Sequence, residues 1–583
     1  MPNCQLLGPY ELPTYEGQEV HYMRDDNASM NSGIETPLIA PNTVHGAVDY
    51  KGRPVTRSNF GGWRSAWFII VVEVAERSAY KGIAGNLISY LTGPLGQPVA
   101  TAAANVNLWI GTGALLPLLG AFVADSYFGR YRTIVLSSVV YILGLGLLTL
   151  SATLISYSSS KSYSPQMRLV LIFISLYLVA IGLAGHKPCL QSFGADQFDE
   201  QHPEERKSRS SFFNWWYFSI CSGMLLTLLI LNYIQDNLSW SLGFGIPCIT
   251  MIIGLVVFLL GTRTYRYTIQ SYEKSPFVRI ARVFAAAIRN RKSTLSAVAT
   301  KQEAHQSFEQ FRFLNKALLA PNGSKEGGES CSITEVEEAK AVLSLIQIWT
   351  TCLTFGIVFA QVSTFYTKQG ATMDRKVFPG FDISAASLQS FGNLTIVLLT
   401  PVYDRIFVPI ARSFTSKHSG ITMLQRIGTG IVMSMIGMAV AALVEMKRLR
   451  TAKDYGLVDK PDAIIPMSVW WLIPQYTLDG VSHVFTMVGI QEFFYDQAPT
   501  ELRSMGVALY LSVIGVGSFL SSFLISAIEE ATGGDGRDSW FANNLNRAHL
   551  DYFYWLLAGL CAVSFVLYMH FAKSYIYNKK GKL

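Results

Sequence analysis

Long apolar blocks recur along the chain, and short polar stretches separate them. A helix needs about 20 apolar residues to cross the hydrocarbon core of a bilayer, which is about 30 Å thick. The blocks predict twelve membrane-spanning helices, and the predicted spans are residues 64–84, 101–124, 133–155, 168–190, 212–234, 240–261, 341–366, 385–404, 423–445, 465–490, 504–528 and 552–573. The pattern therefore predicts an all-α membrane protein with two six-helix halves.

Polar stretches mark the boundaries of these halves. The stretch between the two halves, residues 262–340, contains 13 Lys or Arg residues against 8 Asp or Glu residues. Positive charge collects in cytosolic loops of membrane proteins, although the basic stretch 447–460 runs against this orientation. The predicted organisation is a disordered cytosolic N-terminal tail (1–62), an N-terminal half (63–261), a cytosolic linker (262–340), a C-terminal half (341–575) and a cytosolic C-terminal tail (576–583).

Composition excludes several classes of protein. Charged residues make up 15% of the chain, against roughly 25% in a soluble domain, and the net charge of +7 is spread over short loops, which disfavours nucleic-acid binding. The seven cysteines show no CxxC pair, so they predict buried apolar side chains and no metal site. No H-E-x-x-H, P-loop or G-x-S-x-G motif occurs, so we predict no enzyme, no catalytic residue and no cofactor.

Ionisable side chains inside the first span point to proton chemistry. Charges within a bilayer are costly, so each one is a candidate functional residue. Glu73, Glu76 and Arg77 share one helical face because they are three and four residues apart. One guanidinium cannot neutralise two carboxylates pairwise, so one of these acids is predicted to bind and release a proton. A structural ion pair is the alternative.

Charges also occur in the fourth and tenth spans. Lys187 lies near the end of the fourth span, where it either extends to the membrane surface or reaches Glu73 or Glu76. Asp479 and His483 lie one turn apart in the tenth span. His483 is either a packing residue or a group that exchanges a proton near physiological pH.

Matching turns in the two halves predict a gate. Asp125 and Arg130 follow the second span, and Asp404 and Arg405 follow the eighth span, at the same place in each half. Ordinary turn chemistry is the alternative for either turn alone. Two six-helix halves around a site at the membrane midplane are typical of the major facilitator fold.

Several stretches together resemble the proton-dependent oligopeptide transporter family, and in particular its plant nitrate/peptide branch. The resemblance extends from about residue 63 to 575. The matching stretches are Glu73-x-x-Glu76-Arg77-Ser-Ala-Tyr80, residues 120–133, Phe193-Gly-Ala-Asp196-Gln197-Phe198-Asp199, and residues 213–218, 368–375, 386–391, 401–405 and 491–495.

The resemblance implies roles for individual residues. It implies that Glu73, Glu76, Arg77 and Lys187 couple transport to protons. Thr133 is similar to a regulatory phosphorylation position in one relative, which implies regulation by a kinase, although an ordinary turn threonine is the alternative. Substrate contacts are expected from six residues, which are Tyr80, Lys81, Phe359, Gln361, Asp479 and His483.

Three positions depart from the family pattern. Phe359 stands where one nitrate carrier has His, His483 stands where an acid is usual, and Lys81 stands where relatives tend to have Tyr. The absent acid weakens a peptide substrate, unless Asp479 replaces it from one turn away. The added cations favour an anionic substrate.

The predicted function is a proton-coupled symporter of a small, anionic solute, such as nitrate or an organic or hormone acid, that works by alternating access. A di- or tripeptide symporter and a ligand sensor or uniporter with little proton coupling are the alternatives. The location is the plasma membrane or the vacuolar membrane, and the partners are the solute and protons.

Overall fold

The computed structural model describes residues 43–157, 165–199, 202–268, 276–291, 311–318, 331–415, 421–498, 503–533 and 538–575. Helices dominate these residues, as predicted. The helices are α1 (Gly62–Ala84), α2 (Leu87–Thr92), α3 (Val99–Val123), α4 (Arg130–Tyr157), α5 (Pro165–Ala195), α6 (Pro203–Asn237), α7 (Trp240–Leu260), α8 (Pro276–Arg289), α9 (Ile333–Phe359), α10 (Phe365–Ala371), α11 (Gln389–Val402), α12 (Val408–Thr415), α13 (Met423–Asp454), α14 (Ile473–Gln497), α15 (Arg503–Thr532) and α16 (Leu550–Ser574).

Each predicted span corresponds to a helix. In chain order the spans are α1, α3, α4, α5, α6, α7, α9, α11, α13, α14, α15 and α16. Within the described residues, ten helices are long and apolar enough to cross a membrane by length and composition. The two predicted spans outside that group are α1 and α14, which carry Glu73, Glu76, Arg77, Asp479 and His483, whereas Lys187 lies on α5. At 1.5 Å per residue, the 23 residues of α1 still extend over about 35 Å.

Several helices extend beyond their predicted bounds, and the extensions of α9 and α13 change the interpretation of the segments beside them. Helix α9 begins at Ile333, eight residues before the predicted start at 341, because Ser332 and Glu335 form a capping box at its N-terminus. Helix α13 continues to Asp454 instead of ending at 445. The linker between the halves is therefore shorter than predicted, and its last acidic residues belong to a helix.

The longer α13 accounts for part of the basic stretch 447–460. Arg448 is fully buried and forms an ion pair with Glu445, also fully buried, at 2.5 Å. Its guanidinium also donates to the side chain of Asn546 at 3.0 Å and to the carbonyl of Leu545 at 2.7 Å. Arg448 is therefore a neutralised packing residue, so it does not count against the predicted orientation.

The predicted N-terminal tail contains ordered structure next to the first span. Strand β1 (Thr43–Val48) lies between β2 (Pro54–Thr56) and β3 (Tyr267–Thr268), and both pairings are antiparallel. Between β1 and β2, the backbone N–H and guanidinium of Arg53 hold the pKa of Asp49 below its usual range. This part of the tail is ordered because β3, which follows the sixth span, supplies a partner strand.

The ends of the spans near this sheet are held by a network of charged residues. Arg57 pairs with Asp199 at 2.5 Å, and Arg266 pairs with Glu205 at 2.6 Å. The amide of Gln197 makes hydrogen bonds in both directions with the backbone of Arg266. The motif at residues 193–199 therefore joins α5 and α6 to the residues that follow α7. We call this end of the bundle the linker end and the opposite end the far end.

Short strands cover the far end. Strand β4 (Met373–Asp374) pairs in parallel with β7 (Ile465–Ser468), and β5 (Lys376–Phe378) pairs with β6 (Phe381–Asp382) in a hairpin. The ring of Phe381 stacks on Tyr233 of α6, with centroids 5.6 Å apart. The hairpin therefore connects the C-terminal half to the N-terminal half.

Hydrogen bonds join the two halves at the far end. The amide of Gln389 donates to the carbonyl of Gly85 at 2.8 Å, and the hydroxyl of Ser387 donates to the carbonyl of Leu228 at 2.7 Å. Deeper in the bundle, the hydroxyl of Ser522 on α15 donates to the carbonyl of Ala104 on α3 at 3.0 Å. These contacts close the far end in this conformation.

The two matching turns share an unusual backbone. Residues Ala124–Phe128 after α3 and Tyr403–Phe407 after α11 are both π-helical. A π-helical segment is rare and often occurs at functional positions. The repeat that the sequence predicted at these turns therefore extends to the backbone.

Candidate functional site

The first-span acids lie on one face of α1 and share Arg77, as the sequence predicted. The Nε of Arg77 donates to Oε1 of Glu73 at 2.7 Å and lies 3.3 Å from Oε2 of Glu76. Glu73 is 2% exposed and Glu76 is 0% exposed. Two acids and one guanidinium are therefore withdrawn from water together.

The two acids differ in their hydrogen bonds. Glu73 accepts one charge-assisted hydrogen bond from Arg77, whereas neither carboxylate oxygen of Glu76 has a hydrogen-bond partner among the described residues. A buried charge without hydrogen bonds is costly. Glu76 is therefore the acid whose charge this site supports less well.

Aromatic side chains surround the acids. The ring of Tyr80 stacks on Trp109 of α3 with centroids 5.5 Å apart, and the indole of Trp109 donates to the carbonyl of Leu176 at 2.8 Å. Tyr141 of α4 is fully buried and lies within electrostatic range of Glu76 and Arg77. Sequence reasoning missed Trp109 and Tyr141, since aromatic residues in apolar spans are common.

Lys187 approaches the acids without touching them. It lies on α5 within electrostatic range of Glu76 and Glu73, but in the part of the chain that the structure describes it makes no ion pair within 4 Å. The predicted direct pair is therefore not made in this conformation. The preceding residue, His186, is fully buried, and its Nε2 lies 2.6 Å from the hydroxyl of Ser138.

A second group of candidate residues lies between the halves. Lys81 of α1 lies within electrostatic range of Asp479 and His483, both on α14. The ring of His483 contacts the ring of Phe359 on α9, with centroids 5.5 Å apart. The structure thus brings together the three positions at which the chain departs from the family pattern.

Gln361 makes hydrogen bonds inside the bundle. It is fully buried, and its amide nitrogen donates to the carbonyl of Ile357 at 2.7 Å and to the hydroxyl of Ser521 at 2.9 Å. Ser521 also accepts a hydrogen bond from Asn107 of α3 at 3.1 Å. The hydrogen bonds of Gln361 therefore connect α9, α15 and, through Ser521, α3 in the packed interior. Its contact with a substrate stays a prediction.

The linker end contains an ion pair at equivalent places in both halves. Arg130, at the start of α4, pairs with Asp196 at the end of α5. Arg426, near the start of α13, pairs with Glu492 near the end of α14 at 3.5 Å. Each pair joins the third helix of its half to the fourth. The sequence singled out Arg130 but missed Arg426, which lies outside the repeated turn.

The structure gives less information on the other predicted gate residues. The side chains of Asp125 and Asp404 lie outside the described residues, and Arg405 is exposed at the linker end. Thr133 is 6% exposed and donates its hydroxyl to the carbonyl of Gly129 at 2.9 Å. Phosphorylation of Thr133 would therefore require a different conformation, because a kinase needs access to this hydroxyl.

Comparison with known proteins identifies the family. Residues 131–541 match the model of the POT family. The chain belongs to the POT family. It is 62% identical over 550 residues to Protein NRT1/PTR FAMILY 5.10 of Arabidopsis thaliana, covering 93% of this chain and 97% of that protein. It is 57% identical over 544 residues to Protein NRT1/PTR FAMILY 5.14 of the same plant, covering 93% of this chain and 98% of that protein.

Solved structures support the fold. The chain is similar to an auto-inhibited POT family peptide transporter, with a TM-score of 0.69, 22% identity, and 89% of this chain and 99% of that chain covered. It is also similar to the POT family transporter PepTSo, with a TM-score of 0.67, 20% identity, and 88% and 98% covered. The resemblance and the major facilitator fold predicted from the sequence are therefore confirmed. The chain is a multi-pass membrane transporter of a proton-coupled family.

Proposed function

We propose that this POT family member is a proton-coupled symporter that carries a small, anionic solute by alternating access. The buried group of Glu73, Glu76 and Arg77 is the observation that carries this proposal. Two acids compete for one guanidinium that binds Glu73 at 2.7 Å, and Glu76 has no hydrogen bond of its own. Glu76 is therefore the proposed proton carrier.

An anionic substrate is favoured by a group of neighbouring cations. Lys81, Lys187 and Arg77 lie close enough together to repel one another electrostatically. Glu73, Glu76 and Asp479 balance these three cations while all three acids are charged. Protonation of Glu76 leaves one buried positive charge in excess, which is costly, and a substrate anion would neutralise it. Nitrate and carboxylates such as hormone acids have this chemistry.

The proposed cycle uses Lys187 as the element that responds to the proton. Protonation of Glu76 from outside would remove its attraction to Lys187 and allow the halves to rock about the midplane. The far end is closed here by hydrogen bonds such as Gln389 to Gly85, so this conformation corresponds to the state after closure. Release of the solute and the proton at the linker end would then restore the attraction between Glu76 and Lys187.

Uptake measurements test the proposal. Oocytes that express the chain should accumulate nitrate or a hormone carboxylate at acidic outside pH, with an inward current and weaker uptake at neutral pH. A dipeptide is the comparison substrate, because solved relatives are described as peptide transporters and Asp479 is a buried acid that could bind an amine. Uptake of dipeptides with no anion uptake would contradict the proposal.

Sensor and uniporter functions give different results in the same assay. A ligand sensor would bind solute saturably without a proton current, and a uniporter would carry solute without response to outside pH. The intact Glu73, Glu76 and Arg77 group favours the symporter over both, because those functions do not require a shared proton site. The proposal includes a cytosolic linker and cytosolic termini, in either the plasma membrane or the vacuolar membrane.

A further inference from the structure

Three buried polar side chains connect the two halves in the interior of the bundle. The hydroxyl of Ser521 on α15 accepts a hydrogen bond from the amide of Asn107 on α3 at 3.1 Å and another from the amide of Gln361 at 2.9 Å. All three side chains are 0% exposed. Asn107 belongs to the N-terminal half, whereas Ser521 and Gln361 belong to the C-terminal half. We call these three residues the central node.

The two helices that the node joins across the halves, α3 and α15, cross at a close backbone contact. A Cβ atom built at Gly111 of α3 would lie 3.0 Å from the carbonyl oxygen of Gly515 on α15, and one built at Gly515 would lie 3.3 Å from the carbonyl oxygen of Gly111. Twelve residues of α3 lie on each side of Gly111, and Asn107 is about one helical turn before it. Gly515 and Ser521 lie on either side of the middle of α15. The crossing is therefore near the middle of both spans.

Contacts in the middle and at the far end respond differently to alternating access. When one half rotates against the other, a contact moves in proportion to its distance from the rotation axis. Far-end contacts such as Gln389 to Gly85 must break for the far end to open. A contact in the middle can persist, and breaking the node would leave the buried amide of Asn107 without an acceptor, which is costly. Rotation about the node therefore opens either end at the lowest cost.

We propose that the central node is the pivot of alternating access. The bond between Asn107 and Ser521 is made in the far-end-open and the far-end-closed state alike, and the halves rotate about it. Gln361 lies in the turn between α9 and α10 and holds the hydroxyl of Ser521 in place for Asn107, so it is a positioning residue. This inference rests on the alternating access of the proposed function.

Removal of the bond tests whether both states contain it. A bond made in both states cancels from the equilibrium between them, whereas loss of a bond made only in the closed state favours opening. Ser521→Ala should therefore lower the melting temperature of the purified, full-length carrier and leave the ratio of open to closed far ends unchanged. Spin labels at Asn237 and Lys453, exposed at the far end of either half, report this ratio. Asn107→Ala removes only the bond between the halves and should give the same result if Ser521→Ala does not fold.

Ser387 provides the matched control. Its hydroxyl also donates across the halves, but at the far end, to the carbonyl of Leu228 at 2.7 Å. Ser387→Ala should raise the ratio of open to closed about fivefold, the effect of one neutral hydrogen bond. If Ser521→Ala or Asn107→Ala raises this ratio as much as Ser387→Ala does, the node breaks during the cycle and the inference is wrong.

Distances between spin labels test the pivot without altering the node. Three pairs of exposed positions, each with one label on either half, lie at the far end, at the level of the node and at the linker end. In that order they are Asn237 with Lys453, Leu108 with Leu520, and Lys207 with Ile410. Introducing Ser387→Ala should lengthen the far-end distance, shorten the linker-end distance and leave the middle distance constant. A change in the middle as large as the change at the far end would overturn the inference.

The same distances separate the pivot from the proposed function. Ends that do not change in opposite directions would refute alternating access, and the pivot with it. Neither measurement needs a substrate, so an absence of anion uptake would refute the proposed substrate and leave the pivot to be decided by these distances.

Discussion

Glu73 and Glu76 are one turn apart, yet their contacts assign them different tasks. Glu73 is bonded to Arg77, and Glu76 has only the weaker contact at 3.3 Å. Glu76→Gln should therefore reduce pH-driven accumulation at least about tenfold, because general proton transfer by a positioned group is lost. Counterflow between solutes on the two sides should persist, since it needs no net proton movement.

The control for Glu76→Gln is Glu530→Gln, which alters an exposed acid near the end of α15. Both variants should reach the membrane in equal amounts, and only Glu76→Gln should lose the response to outside pH in radiolabelled uptake. Unaltered pH-driven accumulation by Glu76→Gln would contradict its assignment as the proton carrier.

Glu445 and Arg448 illustrate a buried pair with a structural task. Both are 0% exposed, and the amide of Gln369 donates to Glu445 at 2.8 Å. Arg448→Met leaves Glu445 charged and unpaired, which should destabilise the fold by about 3–5 kcal/mol. The double variant Glu445→Leu/Arg448→Met should be less destabilised than Arg448→Met, as measured by thermal unfolding in detergent. Equal or greater loss in the double variant would show that the pair contributes more than charge neutralisation.

At the scale of elements, close crossings of helices depend on glycine. A Cβ atom built at Gly517 of α15 would lie 2.5 Å from Cα of Gly356 on α9, whereas one built at Gly146 of α4 meets nothing within 4 Å. Gly517→Ala should destabilise the chain by about 1–3 kcal/mol through overpacking. Gly146→Ala should be neutral or stabilising by up to about 1 kcal/mol, because alanine favours the helix.

Melting temperatures of the two alanine variants test this contrast directly, because the chemical change is identical and only the surroundings differ. Uptake should fall with Gly517→Ala, since α9 and α15 both belong to the C-terminal half that moves in the proposed cycle. A Gly517→Ala variant as stable as Gly146→Ala would mean that the helices separate without cost.

Sequence patterns predicted the positions of helices better than they predicted which segments contact one another. Long apolar blocks located a helix at each predicted position, because a helix that crosses a bilayer needs about 20 apolar residues. The apolar pattern missed the start of α9 at Ile333, because a capping box, and not hydrophobicity, sets the N-terminus of this helix. It also missed strand β1, whose partner β3 is more than 200 residues away in the sequence. Such pairings depend on tertiary structure, which local pattern does not contain.

In the candidate site, too, contacts within one helix were predictable and contacts between helices were not. Glu73, Glu76 and Arg77 were predictable together, because helix geometry alone brings residues three and four apart onto one face. Arg426 and Glu492 were not, because they belong to different helices and meet only through packing. The hydrogen bond of Gln361 to Ser521 likewise depends on packing between helices and became visible only in the structure.

At the scale of the whole molecule, one acid connects the two halves at the far end. Asp236, at the end of α6, accepts a hydrogen bond from Asn86 at 2.7 Å and another from Ser384 at 2.5 Å. Ser384 belongs to the C-terminal half, whereas Asn86 and Asp236 belong to the N-terminal half. A carboxylate can accept both bonds at once, so Asp236 stabilises closure as well as its own half.

Asp236→Ala should therefore favour the far-end-open state, because Ser384 loses its charged acceptor in the other half and a bond of this kind contributes about 1.5–3 kcal/mol. A cysteine at Thr367, which is fully buried next to Gln389, would report the opening through its reaction with an impermeant thiol reagent. Asp382→Ala is the matched control, since Asp382 is an exposed acid in the hairpin at the same end. Labelling should rise about tenfold with Asp236→Ala and stay constant with Asp382→Ala. Equal labelling rates in both variants would mean that the other contacts between the halves, such as Gln389 to Gly85, hold the far end closed without Asp236.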